Sequence, residues 1–225
     1  IELSEKPIAI THANPSFWHA AKRNKSSELL KTLNNIKTGA HITLTKNLPP
    51  SAGLGGGSSD AAAALRGLSR LWDADLPEIH DLMKIGSDLP VCINQKTQHM
   101  KGFGEVLRII HTFPNLPILL VNPLKKVSTQ AVFNMLENKQ NPPLSNYEKL
   151  FQTKKDWINW LLLQRNDLME PAVKVEPVIS EVLRLISKQI SVEKVSMSGS
   201  GATCFGIFEN KRHCDLAMER VRLER

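Results

Sequence analysis

Four glycines fall within five residues (Gly53, Gly55, Gly56, Gly57), between Leu48-Pro49-Pro50 and an alanine-rich run that starts at Ala61. This stretch limits what the chain can build more than any other. In order, Lys46 to Trp72 is a strand end, a proline-marked turn, a glycine-rich loop and a helix. Glycine admits positive φ and lets main-chain N–H groups come close to a ligand. Ser58, Ser59 and Asp60 are candidates for the N-cap and first turn of the helix. A helix start presents unpaired N–H groups and a partial positive charge, a setting that suits phosphate. The segment therefore predicts a nucleotide phosphate cradle. The competing reading is a flexible loop before an ordinary helix, which does not call for the proline pair, the glycine cluster and the cap together.

Three known phosphate loops fit poorly. A G-x-x-x-x-G-K-[ST] loop needs a lysine after the glycines, and none stands there. The dinucleotide fingerprint G-x-G-x-x-G is met by Gly53-x-Gly55, but Ser58 takes the third glycine's place; Asp73 and Asp75 lie near the expected acidic position, so that fit is partial. The glycine loop of protein kinases joins two strands, whereas an alanine-rich helix follows here.

The chain has 225 residues, enough for one large domain or two small ones with a real core. Its formal charge is +7 and its pI about 9.4, which suits an anionic ligand but also nucleic acid. The basic residues are dispersed; Lys22-Arg23-Asn24-Lys25, Lys125-Lys126 and Lys154-Lys155 are the densest groups, and most read as solvated surface. No nucleic-acid module is visible, so no nucleic-acid partner is expected. Cys92, Cys204 and Cys214 form no CxxC pair and read as reduced, partly buried thiols, Cys92 and Cys204 as core filler in strand-like runs, which predicts a cytoplasmic protein. The histidines show no H-x-x-x-H pairing, and no metal-ligand set is expected. No apolar stretch is long enough to span a bilayer, so no membrane partner is expected.

Periodicity gives a coarse map. Residues 41–46 alternate as a half-buried strand, with Ile42 and Leu44 on one face. A helix is predicted to open near Asn14-Pro15 and to continue over 22–35. Ala61, Ala64, Leu65, Leu68, Leu71 and Trp72 recur at helical spacing after the glycine loop. A short helix is predicted from Leu76-Pro77 to Ile85. Strands are predicted over 91–93 and 105–110, with Gly102 and Gly104 in the turn between them. Residues 113–117 suggest a boundary, giving domains 1–115 and 116–225. Beyond it a buried strand is expected over 118–122, and helices over 128–137 (capped by Ser128), 156–163 and 177–188. Strands 195–197 and 203–208 then flank a second glycine turn, and a last helix begins at Lys211. Without strict βαβ alternation, the class is α+β.

Leu48-Pro49-Pro50-Ser51-Ala52-Gly53-Leu54-Gly55-Gly56-Gly57-Ser58-Ser59-Asp60-Ala61-Ala62 resembles the second motif of the GHMP kinases. Gly86-Ser87-Asp88-Leu89-Pro90-Val91, Lys101-Gly102-Phe103-Gly104-Glu105, Gln164-Arg165-Asn166-Asp167-Leu168 and Ser198-Gly199-Ser200-Gly201-Ala202-Thr203 follow in family order. The triple glycine before Ser-Ser-Asp is narrower; it is similar to the branch that phosphorylates a cytidine-diphosphate-linked polyol in non-mevalonate isoprenoid precursor synthesis.

The resemblance implies a two-lobed GHMP kinase fold. An N-terminal ATP-binding lobe of ribosomal-protein type, missing its first elements, would be joined to a ferredoxin-like C-terminal substrate lobe, with the active site in the cleft between them. It implies ATP and Mg²⁺ as cofactors, a small-molecule cytidine diphosphate substrate and a monomer or homodimer. Pro49, Pro50, Ser51, Ala52, Gly53, Leu54, Gly55, Gly56, Gly57, Ser58 and Ser59 would wrap the triphosphate, with Lys46 near the base or phosphates and Asn14 against the adenine. Lys46 on its own is equally a solvated strand-end lysine. Asp88 reads locally as an N-cap or turn residue; the resemblance makes it the catalytic base. Gly199, Ser200 and Gly201 would approach phosphate or acceptor, or would simply make a tight hairpin turn. Thr129 and Phe133 would lie by the acceptor, the ring stacking on cytosine, although a lone helical Phe is usually core.

The family's P-x-K-x-N-L strand, with the lysine that partners the catalytic aspartate, is absent from these residues, as is the D-G-Y-H segment after it. The helix before Asp88 looks short and the C-terminal helix and strand look cut. With Ile1 rather than Met in front, the expectation is an incomplete part of an active kinase. The alternatives are a decayed relative, another GHMP small-molecule kinase, or a non-catalytic nucleotide or nucleic-acid binding module.

Overall fold

The computed structural model describes residues 2–4, 9–12, 20–45, 48–49, 52–145 and 151–224. The chain divides into two compact units, Ile1–Pro49 with Gly55–His111, and Pro50–Leu54 with Thr112–Arg225. Pro50–Leu54 and residues 112–115 thus group with the second unit, and the chain re-enters the first at Gly55.

In the first unit, β3 (Gly39–Leu44) is the central strand of a small sheet. It pairs antiparallel with β1 (Glu2–Ser4) and parallel with β2 (Ala9–His12). α1 (Ala20–Leu33) lies between β2 and β3 in sequence and packs on α2 (Gly56–Trp72). The alanine run explains that packing. Ala61, Ala62 and Ala64 are buried with Leu65 and Leu68, so α2 offers a small-residue face that neighbours approach closely, with two leucines as anchors. Burying each leucine contributes about 1.5–3 kcal/mol. α2 stops at Asp73, whose φ of 48° breaks the helical run while Ser69 Oγ donates to Ala74 O at 2.6 Å.

α3 (Ile79–Ile85) forms as expected, starting two residues beyond Pro77. The next element overturns an expectation. Residues 91–93 are not a strand but part of α4 (Leu89–Asn94). Pro90 sits in the first turn, where its fixed φ favours a helix, and Arg66 Nη1 donates to the carbonyls of Cys92 and Ile93 at 3.0 and 3.3 Å. A cation at the C-terminal end of α4 satisfies carbonyls that its own ladder leaves open. The hairpin partner of β5 (Val106–Ile109) is instead β4 (Gln98–Lys101), whose QHMK sequence carries no apolar alternation.

The second unit is an antiparallel sheet in the order β6-β8-β7, built from β6 (Ile118–Val121), β7 (Val192–Met197) and β8 (Cys204–Phe208). β6 was expected to be buried, but it lies at one side of this sheet. Leu119 and Val121 face the core, while Ile118 and Leu120 are exposed. α5 (Thr129–Asn134) starts at the Ser128 cap, whose Oγ accepts from Ala131 N, and is shorter than expected. α6 (Lys154–Leu162) begins with a capping box between Thr153 and Asp156. α7 (Met169–Val175), which periodicity did not reveal, precedes α8 (Val178–Ser187). α8 packs on β7 and β8 through Ile179, Val182 and Ile186. Val178 and Leu183 are only partly covered. α9 (Lys211–Leu223) starts at Asn210, whose side chain accepts from His213 N.

Cys204 is fully buried in β8, and burial pushes its thiol up to about 12 from 9.0. Cys92 and Cys214 are half-buried, and Cys92 lies on helix α4 rather than on a strand. Because the folded pKa of Cys204 exceeds the unfolded one, its contribution to stability is complete below pH 9.0. That contribution fades as pH climbs toward about 12. We expect iodoacetamide at pH 8 to leave Cys204 unmodified in folded protein and to label it in urea. Mass spectrometry of peptides covering Cys204 checks this, and labelling of Cys204 in the folded protein would contradict the burial.

Candidate functional site

The glycine loop ends at Gly55, the N-cap of α2, with φ 65° and ψ 18°. Ser58, Ser59 and Asp60 therefore do not cap the helix, which begins at Gly56 without a side-chain cap hydrogen bond, but Ser58 and Ser59 do lie in its first turn. Ser58 is buried and Ser59 exposed, so the two hydroxyls are not equivalent. Asp60 lies beyond the first turn, which holds no acidic residue. Ser59 N donates back to Gly55 O at 2.9 Å, so the N–H groups of Gly56 and Gly57 precede that bond at the helix start.

Two glycines here are not explained by neighbouring atoms. A Cβ placed on Gly55 or Gly57 meets nothing within 4 Å. Gly55 needs its left-handed conformation, but Gly57 is helical, where glycine costs up to about 1 kcal/mol relative to alanine. Open space over a helix start that bears no acid fits a bulky anion.

The front of the loop hangs on the second glycine turn. Thr203 N donates to Ala52 O at 3.3 Å, and Ser198 Oγ donates to Gly53 O at 2.8 Å. Gly53 has φ 71°, and a Cβ there would stand 2.4 Å from Ser198 O and 2.7 Å from Gly201 O. Only glycine fits. Leu54 is half-buried and Pro49 likewise, whereas Asn14, Lys46, Pro50 and Ser51 lie outside the described residues.

The turn itself brings acceptor-side candidates together. Thr129 Oγ1 and Ser200 Oγ are 2.9 Å apart. Phe133 lies four residues after Thr129, one turn along α5. Its ring is 49% exposed, so it is not core filler. Gly199 and Gly201 complete the turn, with Gly201 N donating to Ser198 O at 3.0 Å.

Asp88 occupies the N-cap position of α4, yet its side chain makes no cap hydrogen bond, and the residue is exposed. Asp88 thus stands in a turn at the N-cap position, as local sequence suggested, but its carboxylate makes no cap bond there. Its backbone is fixed from three sides. Arg66 holds the far end of α4, Leu89 N donates to Gly86 O at 3.0 Å, and the β4–β5 turn leans on Ser87. That contact is close: a Cβ on Gly104 would lie 2.3 Å from Ser87 O. Glu105 shapes the same turn by accepting from Phe103 N at 2.7 Å.

Sequence reasoning did not single out Arg66, Asn122 or Asn166. Asn122 Nδ2 donates to Thr203 Oγ1 at 2.8 Å. Asn166 Nδ2 donates to Met197 O at 2.9 Å and Gly199 O at 2.8 Å. Among the described residues there is no cluster of three His, Cys, Asp or Glu side chains that could hold a metal ion, and no helix long and apolar enough to cross a membrane.

Residues 17–102 match the GHMP kinases N terminal domain and residues 149–224 the GHMP kinases C terminal domain. The chain is 43% identical to 4-diphosphocytidyl-2-C-methyl-D-erythritol kinase of Ruegeria pomeroyi, over 78% of this chain and 62% of that protein. It is 37% identical to the protein of that name from Cereibacter sphaeroides, over 96% of this chain and 78% of that one. A crystal structure of 4-(cytidine 5'-diphospho)-2C-methyl-D-erythritol kinase superposes with a TM-score of 0.78 at 25% identity, over 99% of this chain and 81% of that chain. The chain spans about three fifths of the length of the first curated relatives it matches (62%, 60% and 57%).

Proposed function

This chain belongs to the GHMP kinase family, and from that premise we propose that it serves a cytoplasmic ATP-dependent kinase. The enzyme phosphorylates the 2-hydroxyl of 4-diphosphocytidyl-2-C-methyl-D-erythritol. The observation that carries phosphoryl transfer is the start of α2: a left-handed Gly55, a helical Gly57 with open space above it, and a first turn free of acid. Such a start neutralises phosphate through main-chain dipoles. The choice of acceptor is supported by similarity to kinases named for it.

In this reading the loop 49–59 holds the triphosphate and Asp88 is the general base. As the acceptor oxygen bonds to the γ-phosphorus, its proton passes to the Asp88 carboxylate. The bond to the β,γ-bridging oxygen breaks, and ADP leaves with that electron pair. Mg²⁺, when bound with ATP, would supply charge neutralisation on the phosphates, and the hydroxyls of Ser58 and Ser59 would be the protein groups beside it. Thr129, Ser200 and Phe133 receive the acceptor. The Phe133 ring stacks on cytosine, and the ring's present exposure is covered by that contact.

The test is ADP release by the full chain with ATP, Mg²⁺ and the cytidine-linked acceptor. ADP release that appears only with this alcohol supports the proposal; turnover with homoserine or mevalonate in its place would overturn the acceptor. Gly57→Ala supplies a second measurement. We expect its stability to hold or rise by up to about 1 kcal/mol. ATP affinity should fall about tenfold, because the methyl enters the phosphate path. Calorimetry reads both, and unchanged ATP affinity would remove α2's start from the site.

A further inference from the structure

Asn166 is half-buried, lies before α7 and uses both ends of its amide. Its Nδ2 group donates to two carbonyls, those of Met197 and Gly199, at 2.9 and 2.8 Å. Its Oδ1 accepts from Leu168 N at 3.0 Å, the bond that turns the chain into α7. Met197 ends β7, and Gly199 is the first glycine of the turn. Asn166 therefore pins the chain on either side of Ser198.

Ser198 is where the turn meets the phosphate loop. Its hydroxyl donates to Gly53 O at 2.8 Å, its own carbonyl accepts from Gly201 N at 3.0 Å, and its N–H donates to Thr203 O at 2.9 Å. Two residues on, Ser200 meets Thr129 at 2.9 Å. One short turn thus carries the support of the front loop and a hydroxyl on the acceptor side. A carbonyl at Met197 or Gly199 without its donor turns toward another partner, and Ser198 moves with it.

We infer that Asn166 is a positioning residue for phosphoryl transfer: it touches neither nucleotide nor acceptor, and its amide sets the path of the Ser198–Gly201 turn that aligns Gly53 on one side and Ser200 on the other. This inference rests on the kinase reading above. It assigns a task to a residue whose other role, starting α7, would be purely structural.

The two roles separate chemically. Asn166→Asp keeps the oxygen that accepts from Leu168 N but has no N–H to offer Met197 O or Gly199 O. Asn166→Ala removes both. Both variants of the full chain are assayed for kcat and KM, for melting temperature, and by amide hydrogen exchange over residues 196–204.

The expected result is a kcat at least tenfold below wild type in both variants, with faster exchange across the turn in both. The melting temperature should fall further in Asn166→Ala than in Asn166→Asp. A displaced reactive geometry of about 1 Å is enough for losses up to a hundredfold. If Asn166→Asp keeps wild-type kcat, or shows wild-type exchange over 196–204, the inference is overturned. The exchange measurement needs no turnover. A wild-type chain that fails to bind ATP therefore sinks the kinase reading, while the exchange data still decide whether Asn166 sets the turn.

Discussion

Asp88→Asn lowers kcat by about 10²–10⁴-fold and leaves ATP affinity within about threefold of wild type. The carboxylate's position motivates this split. It stands at the start of α4 without capping it, so the amide replacement removes no hydrogen bond that the fold uses there. Arg66 and the Gly104–Ser87 contact hold the backbone without help from the Asp88 side chain. The loss should therefore fall on proton transfer. ADP-release kinetics with calorimetric ATP titration measure both quantities. Wild-type turnover in the variant would take Asp88 out of the mechanism, and a collapse of the melting temperature would return it to a structural role.

Gly53→Ala is expected to damage fold and binding together. Alanine at φ 71° costs about 1–2 kcal/mol, and a methyl 2.4 Å from Ser198 O forces backbone apart at a further cost of about 1–3 kcal/mol. A chain of this length should lose about 5–15 °C in melting temperature. Where the loop escapes the clash instead, Ser198 Oγ loses its acceptor at Gly53 O, and ATP affinity falls although the fold survives. Thermal denaturation and ATP titration distinguish these outcomes. A variant with wild-type values of both would show that the loop does not rest on the turn.

Much of this was legible in the sequence because its causes are local. Positive φ in the glycine loop, a helix following that loop, the Ser128 cap and the β7–β8 hairpin follow from residue types within a few positions of one another. What misled was remote. Val91-Cys92-Ile93 has the composition of a strand, yet α4 is fixed by Pro90 at its start and by Arg66, far back on α2. Gln98-His99-Met100-Lys101 has no strand signature and becomes one by pairing with β5. Ser58, Ser59 and Asp60 are the side chains that could cap α2, but a left-handed Gly55 takes that position. Asp88, Thr129 and Phe133 were named through resemblance, and nothing in their own neighbourhoods distinguished them from turn, cap and core residues. Asn166 lay inside a recognised motif without an assigned task. Its partners are 31 and 33 residues away, a distance that no periodicity reports.

Because Ala52 and Gly53 are bonded to Thr203 and Ser198, the second unit is not continuous in the gene. An expression fragment that starts at Thr112 would carry the hairpin turn but not the peptide that accepts its hydrogen bonds. Dissecting this protein into halves by simple truncation therefore deletes part of the half being kept. Anyone wanting the rear portion alone must supply the tract around Gly53 as well, grafted or as an added peptide.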